Sequence, residues 1–163
     1  MILIGIGSNI EGPFGSPQEA VGRAIAALDE PPLRLLRASK AIVTAPYGRT
    51  DQPDFVNAVA EIATDLEPRA LLEHLLSIER RAGRERTLHW GPRTLDLDLL
   101  DYHGLVITGD GPSGSGRPLV LPHPGIPERR FVLQPIAEIA PAWRHPVLGE
   151  TAQSLLRRLE GQA

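Results

Sequence analysis

Asp96 and Asp98 stand two residues apart inside the otherwise apolar run Leu95-Asp96-Leu97-Asp98-Leu99-Leu100. On a β-strand, residues i and i+2 project from the same face, roughly 6–7 Å apart along the strand. The two carboxylates then point together, while Leu95, Leu97 and Leu99 point the other way into a core. Paired carboxylates repel each other and resist desolvation. Bound cations relieve both costs. Carboxylate oxygens suit hard Mg²⁺, which completes its shell with water and substrate phosphates. Two solvated Asp on a strand edge are the plainer alternative, and the neighbours favour the cation. Trp90, Gly91 and Pro92 precede the strand, Arg93 lies three residues before Asp96, and Arg80, Arg81, Arg84 and Arg86 lie upstream. Guanidinium forks match phosphate oxygens bidentately, so the combination points to polyphosphate chemistry.

The elements that position this pair can be read from periodicity and punctuation. Ile2 to Gly7 reads as a buried strand turned by Gly7-Ser8-Asn9. Ser16-Pro17-Gln18-Glu19 is a helix start, with a Ser cap, Pro at the first position and Glu three residues after the cap. That helix runs to about Asp29 and is stopped by Pro31-Pro32. Leu33 to Val43 is rich in strand formers, 44–54 reads as a loop, and Phe55 to Thr64 as a strand antiparallel to the one before. Glu67-Pro68 opens a helix with Leu71, Leu72, Leu75, Ile78, Glu79 and Ala82 at helical spacing, and Gly83 at its C-terminal cap. Residues 84–94 form a loop and 95–102 the carboxylate strand. Gly104 allows a hairpin into Leu105-Val106-Ile107. Residues 108–118 are a Gly/Ser/Pro-rich flexible insertion. Pro122-His123-Pro124 is extended, and helices are expected over Arg129 to Ile139 and Thr151 to Leu159. The order β-α-β-β-α-β is the split βαβ pattern. It predicts an α+β, ferredoxin-like fold, a mostly antiparallel sheet with two helices on one face and a C-terminal extension.

Composition narrows the classes. A chain of 163 residues is expected to form one domain, residues 1–163, with a real core. The net charge of −3 argues against nucleic acid as the main partner. With no Cys there is no disulfide framework, thiolate nucleophile or zinc–thiolate site. No apolar run approaches the ~20 residues of a membrane span, and Met1 to Ile6 is too short for a signal peptide. A cytoplasmic, monomeric protein without membrane or nucleic-acid contacts is expected. Neither common glycine-rich phosphate loop is present.

Four segments in order carry a resemblance. They are Gly7-Ser8-Asn9, then Asp51-Gln52-Pro53-Asp54-Phe55-Val56-Asn57, then Trp90-Gly91-Pro92-Arg93-Thr94-Leu95-Asp96-Leu97-Asp98, and Pro122-His123 with Arg129 and Phe131 downstream. Nearly end to end, the chain resembles the 6-hydroxymethyl-7,8-dihydropterin pyrophosphokinase family of folate biosynthesis. The resemblance implies transfer of diphosphate from ATP to the pterin hydroxymethyl group with release of AMP. It also implies three mobile loops, at about 9–17, 44–54 and 84–94, and two Mg²⁺ per active site held by Asp96 and Asp98. Asp96, Asp98, Arg84 and Arg93 would be catalytic. ATP would meet Glu79, Arg86, Trp90, Leu99, His123 and Arg129. The pterin would stack near Phe55 and Phe131, with Gly7, Thr44, Ala45, Tyr47 and Asn57 around it. Some positions depart from the pattern. Tyr47 replaces a common Leu, Thr87 replaces a basic residue, and the Gly/Ser insertion offsets Arg117.

The residues agree chemically, since paired aromatics bury a flat ring while amides read its edge. In-line transfer asks for positioning and charge neutralisation; Asp96 is one acceptor for the hydroxyl proton, and the sequence assigns no general base. Glu79 is also readable as a helix-face charge paired with Arg80 or Arg81. Two other readings use the same residues. A two-metal nucleotidyltransferase would release diphosphate instead of AMP, and a small-molecule-binding module would bind without turnover.

Overall fold

The computed structural model describes residues 1–44, 54–83, 94–110 and 118–161. A five-stranded sheet organises them. Strand β1 (Ile2–Ser8) leads to helix α1 (Pro17–Ala27), then β2 (Leu33–Ala38), β3 (Ile42–Thr44), β4 (Phe55–Thr64), helix α2 (Pro68–Arg81) and β5 (Asp96–Tyr102). Across the sheet the order is β2-β4-β1-β5, with β3 also on β4. Every pairing is antiparallel. This is the expected split βαβ arrangement.

Strand alternation divides the sheet into two faces. Ile2, Ile4, Ile6, Leu95, Leu97 and Leu99 join one core with the apolar stripes of α1 and α2. Helix α1 begins with the predicted capping box: Ser16 Oγ accepts the Glu19 N–H at 3.2 Å, and Glu19 Oε1 accepts the Ser16 N–H at 3.1 Å. Pro68 sits at the start of α2, and Gly83 follows its end with φ of +83°, a conformation glycine adopts without strain.

Among the described residues, the opposite face is only half covered. A short 3₁₀ turn (Ile126–Glu128), helix α3 (Arg130–Ile139) and helix α4 (Ala152–Gly161) pack over Leu3, Val59 and Leu100. The C-terminal segment is thus the lid of a second core. Asp101 ties it down, accepting the Trp143 indole N–H at 2.7 Å and the Gly104 N–H at 3.0 Å. A β-bulge permits this. Ile4 pairs with Leu99 and Leu3 with Asp101, so Leu100 is an extra residue. The bulge shifts the alternation, so that Leu100 and Asp101 both serve the second face.

Three expectations need correction. The strand read over 33–43 is two strands, interrupted at Ser39. There Ser39 Oγ accepts the Val59 N–H at 2.9 Å, a bond that substitutes for the ladder. Residues 107–110 do not form a hairpin with β5. Strand β6 (Ile107–Asp110) pairs instead with β7 (Leu119–Leu121), so 108–110 belong to a strand and not to an insertion. The chain turns after Pro122, with the Ile126 N–H reaching the His123 carbonyl at 3.3 Å, and is not extended there. Within the loop expected at about 9–17, Phe14 is buried in the first core, and Gly12 and Gly15 exchange backbone hydrogen bonds of 3.1 and 2.8 Å.

Candidate active site

The half of the second face that the described C-terminal helices leave is the floor of the site. Asp96 lies directly opposite Gly7 on β1, and Asp98 opposite Gly5. Directly opposed residues of an antiparallel pair point to the same side, so the two carboxylates project together, with no side chain on the neighbouring strand to cover them. Beyond Gly7, on β4, stands Asn57, and Phe55 follows two residues before it on the same face. Asn57 Nδ2 donates to Thr44 Oγ1 at 2.8 Å. A strip therefore runs across the sheet from carboxylates, over a glycine, to an amide and an aromatic ring.

The segment after β7 and the start of α3 wall this floor. The His123 N–H donates to the Leu100 carbonyl at 2.9 Å, fixing the segment to the outer edge of β5. His123 Nδ1 accepts the Gly125 N–H at 3.0 Å, so the proton of the neutral ring sits on Nε2. That nitrogen lies 4.0 Å from Asp98 Oδ1. Burial, reinforced by the Arg129 charge and opposed by Asp96, pulls the His123 pKa down to about 4. His123 is therefore neutral at pH 7, and its approach to Asp98 is not an ion pair. Among the described residues, a charge beside Asp98 comes from Arg129, whose Nη1 lies 3.9 Å from Oδ2 and whose guanidinium carbon lies 5.8 Å from the Phe131 ring centre. Phe131 itself leans on the second core.

The structure brings together Asp96, Asp98, His123, Arg129, Phe131, Gly7, Asn57, Phe55 and Thr44 on one side of the sheet. Two expected residues lie elsewhere. The Leu99 side chain packs in the core of the opposite face and can meet a ligand only through its backbone. Glu79 is 1% exposed, so it is not a surface helix charge. Its Oε2 accepts the Leu97 N–H on the outer edge of β5 at 2.7 Å. Ala45, Tyr47, Arg84, Arg86, Trp90, Arg93 and Arg117 lie outside the described residues. Sequence reasoning missed Gly5, whose place opposite Asp98 depends on strand register and left no local signal, and Gly125, whose signal was its nearness to His123.

The fold and site together define an α+β protein with a paired-carboxylate site on the half-covered face of a ferredoxin-like sheet. Residues 3–141 match the family described as 7,8-dihydro-6-hydroxymethylpterin-pyrophosphokinase (HPPK), and the chain belongs to it. A relative from Methylorubrum extorquens, named 2-amino-4-hydroxy-6-hydroxymethyldihydropteridine pyrophosphokinase, is 41% identical over 157 residues, covering 96% of this chain and 92% of its own. One of the same name from Pseudomonas aeruginosa is 40% identical over 146 residues, covering 89% and 83%. Among solved structures, an HPPK-DHPS in complex with substrates superposes with a TM-score of 0.76 at 13% identity, a likeness of fold. It covers 99% of this chain and 43% of that one.

Proposed function

We propose that this chain transfers diphosphate from ATP to the hydroxymethyl oxygen of 6-hydroxymethyl-7,8-dihydropterin, releasing AMP. The observation that carries the reading is the strip from Asp96 and Asp98 across Gly7 to Asn57 and Phe55, which puts a polyphosphate end and a flat-ring end on one floor. Family membership over most of the chain supports the same activity.

The paired carboxylates fit magnesium. Among the described residues no three His, Cys, Asp or Glu side chains are grouped as a self-sufficient metal cage. Two hard oxygen donors suit a cation that also takes water and phosphate ligands. Asp96 and Asp98 would hold two Mg²⁺. When bound, these ions neutralise phosphate charge and polarise the transferred phosphoryl group. The chain's own residues do the rest. Asn57, held by Thr44, presents an amide to the pterin edge, and Phe55 and Phe131 offer ring faces. Arg129 offsets the phosphate charge, a role the family resemblance would extend to Arg84, Arg86 and Arg93. Neutral His123 offers its Nε2–H to a phosphate oxygen. The pterin oxygen forms its bond to the β-phosphorus as the bond to the leaving AMP oxygen breaks, and the hydroxyl proton passes to a nearby acceptor, for which the Asp96 carboxylate is one candidate. Such a transfer depends on alignment and charge more than on covalent help from the protein.

The deciding experiment identifies the nucleotide formed from ATP and Mg²⁺ with and without the pterin. Pterin-dependent AMP is expected. Diphosphate release with the nucleoside monophosphate attached to the acceptor would instead mean nucleotidyl transfer. Asp98→Asn should lower turnover by about a thousandfold or more, the scale of losing a preorganised charge at the reacting centre, with an unchanged unfolding midpoint. Wild-type turnover in that folded variant would overturn the role given to Asp98.

A further inference from the structure

Gly125, in the wall of the site, has φ of −81° and ψ of −9°, a conformation open to any residue, so its backbone does not call for glycine. The space beside it does. A Cβ on residue 125 would stand 2.6 Å from Arg129 Nε, 2.8 Å from Cζ and 3.2 Å from Cδ. The Arg129 side chain lies across the place where any other residue would carry its side chain. The backbone of the same glycine donates to His123 Nδ1, which leaves Nε2 as the protonated nitrogen facing Asp98.

We infer that Gly125 is a positioning residue for the phosphate end of the site: its missing side chain seats Arg129, while its N–H sets the tautomer of His123. One residue thereby places His123 Nε2 and the Arg129 guanidinium near Asp98. The inference rests on the proposed role of Arg129 toward ATP, and its test separates the two claims.

The test is Gly125→Ala, alone and combined with Arg129→Ala. A crystal structure of Gly125→Ala should show the guanidinium moved away from Asp98, with Nη1 well beyond its present 3.9 Å from Oδ2. An unmoved Arg129 overturns the inference whatever the activity. Titration with a non-hydrolysable ATP analogue and Mg²⁺ should show binding weakened about tenfold, the size of one lost charge-assisted hydrogen bond. The double variant should bind no more weakly than Arg129→Ala, because the alanine then has nothing left to displace. A full additional loss in the double variant overturns the inference. The unfolding midpoint of Gly125→Ala should match or exceed wild type, because alanine restricts the unfolded chain. A fall in midpoint that Arg129→Ala fails to relieve also counts against it. If Arg129→Ala alone binds the analogue as wild type does, the nucleotide role of Arg129 fails, and the crystal-structure distance still decides whether Gly125 seats it.

Discussion

Gly7 is where a single atom would change the floor. A Cβ there would meet Asn57 Oδ1 at 2.9 Å. Asn57 has little room to retreat: it is 6% exposed, and its amide is already committed to Thr44. Gly7→Ala must therefore turn the Asn57 amide and raise a methyl from the strip between the carboxylates and the ring. The expected outcome is a KM for the pterin raised about tenfold or more, the scale of a misdirected hydrogen bond in a dry site. Affinity for a non-hydrolysable ATP analogue should stay at the wild-type level, since Asp98, Arg129 and His123 lie toward the other end. Steady-state kinetics with each substrate varied, plus calorimetry with the analogue, check this. Equal losses for both ligands would mean that the methyl disturbs β1 as a whole.

Among the elements, β5 carries the carboxylates and is also the sheet's edge strand, so it has to be held still. Strand β1 secures one side. On the outer edge Glu79 accepts the Leu97 N–H and the Leu100 carbonyl accepts the His123 N–H. Just before the strand, Ser8 Oγ donates to the Thr94 carbonyl at 2.7 Å. Carboxylates on an edge strand also discourage pairing with another chain. Glu79→Ala leaves a buried N–H without its acceptor and should cost about 1–3 kcal/mol, whereas Glu79→Gln keeps a carbonyl oxygen there and should cost less. Urea unfolding of both variants checks the order, and equal losses would show that the acceptor is not what matters. Local patterns made much of this framework legible. The Asp96–Asp98 pair follows from period-2 alternation, α1 from its capping box, and α2 from its stripe. Even the bulge left a mark, because adjacent Leu99 and Leu100 break the alternation. What stayed hidden is non-local. That Gly5 and Gly7 face the carboxylates depends on register between strands some ninety residues apart. The inward turn of Glu79 was masked by Arg80 and Arg81, which offered it a surface partnership. The partner of β6 lies beyond a Gly/Ser-rich stretch that gives no pairing signal, and the interruption at Ser39 depends on a side-chain bond to β4.

Taken as one body, the described chain uses a single sheet to serve two cores, and the incomplete cover of the second creates the site. The C-terminal unit is therefore structural support for function, and His145 is a hinge pin of that unit. It is 6% exposed. Its Nδ1 accepts the N–H groups of Val147 and Leu148 at 3.2 and 3.1 Å, and its own N–H donates to the Glu150 carbonyl at 2.9 Å. Protonation at Nδ1 would remove both acceptor bonds. Burial lowers the His145 pKa from its ordinary value of 6.5, with the nearby Asp101 charge opposing the shift. The folded state then binds this proton less readily than the unfolded chain does. Its contribution to stability is complete above pH 6.5 and is lost as pH falls from there toward the depressed folded value. His123, also depressed, acts in the same direction, so the wild-type trend alone does not isolate His145. His145→Asn does, because asparagine offers a carbonyl oxygen to the two amides and takes up no proton. The urea midpoint of wild type should fall between about pH 7 and pH 5, and that of His145→Asn should fall less steeply over the same range. Identical slopes would place the acid sensitivity elsewhere in the molecule.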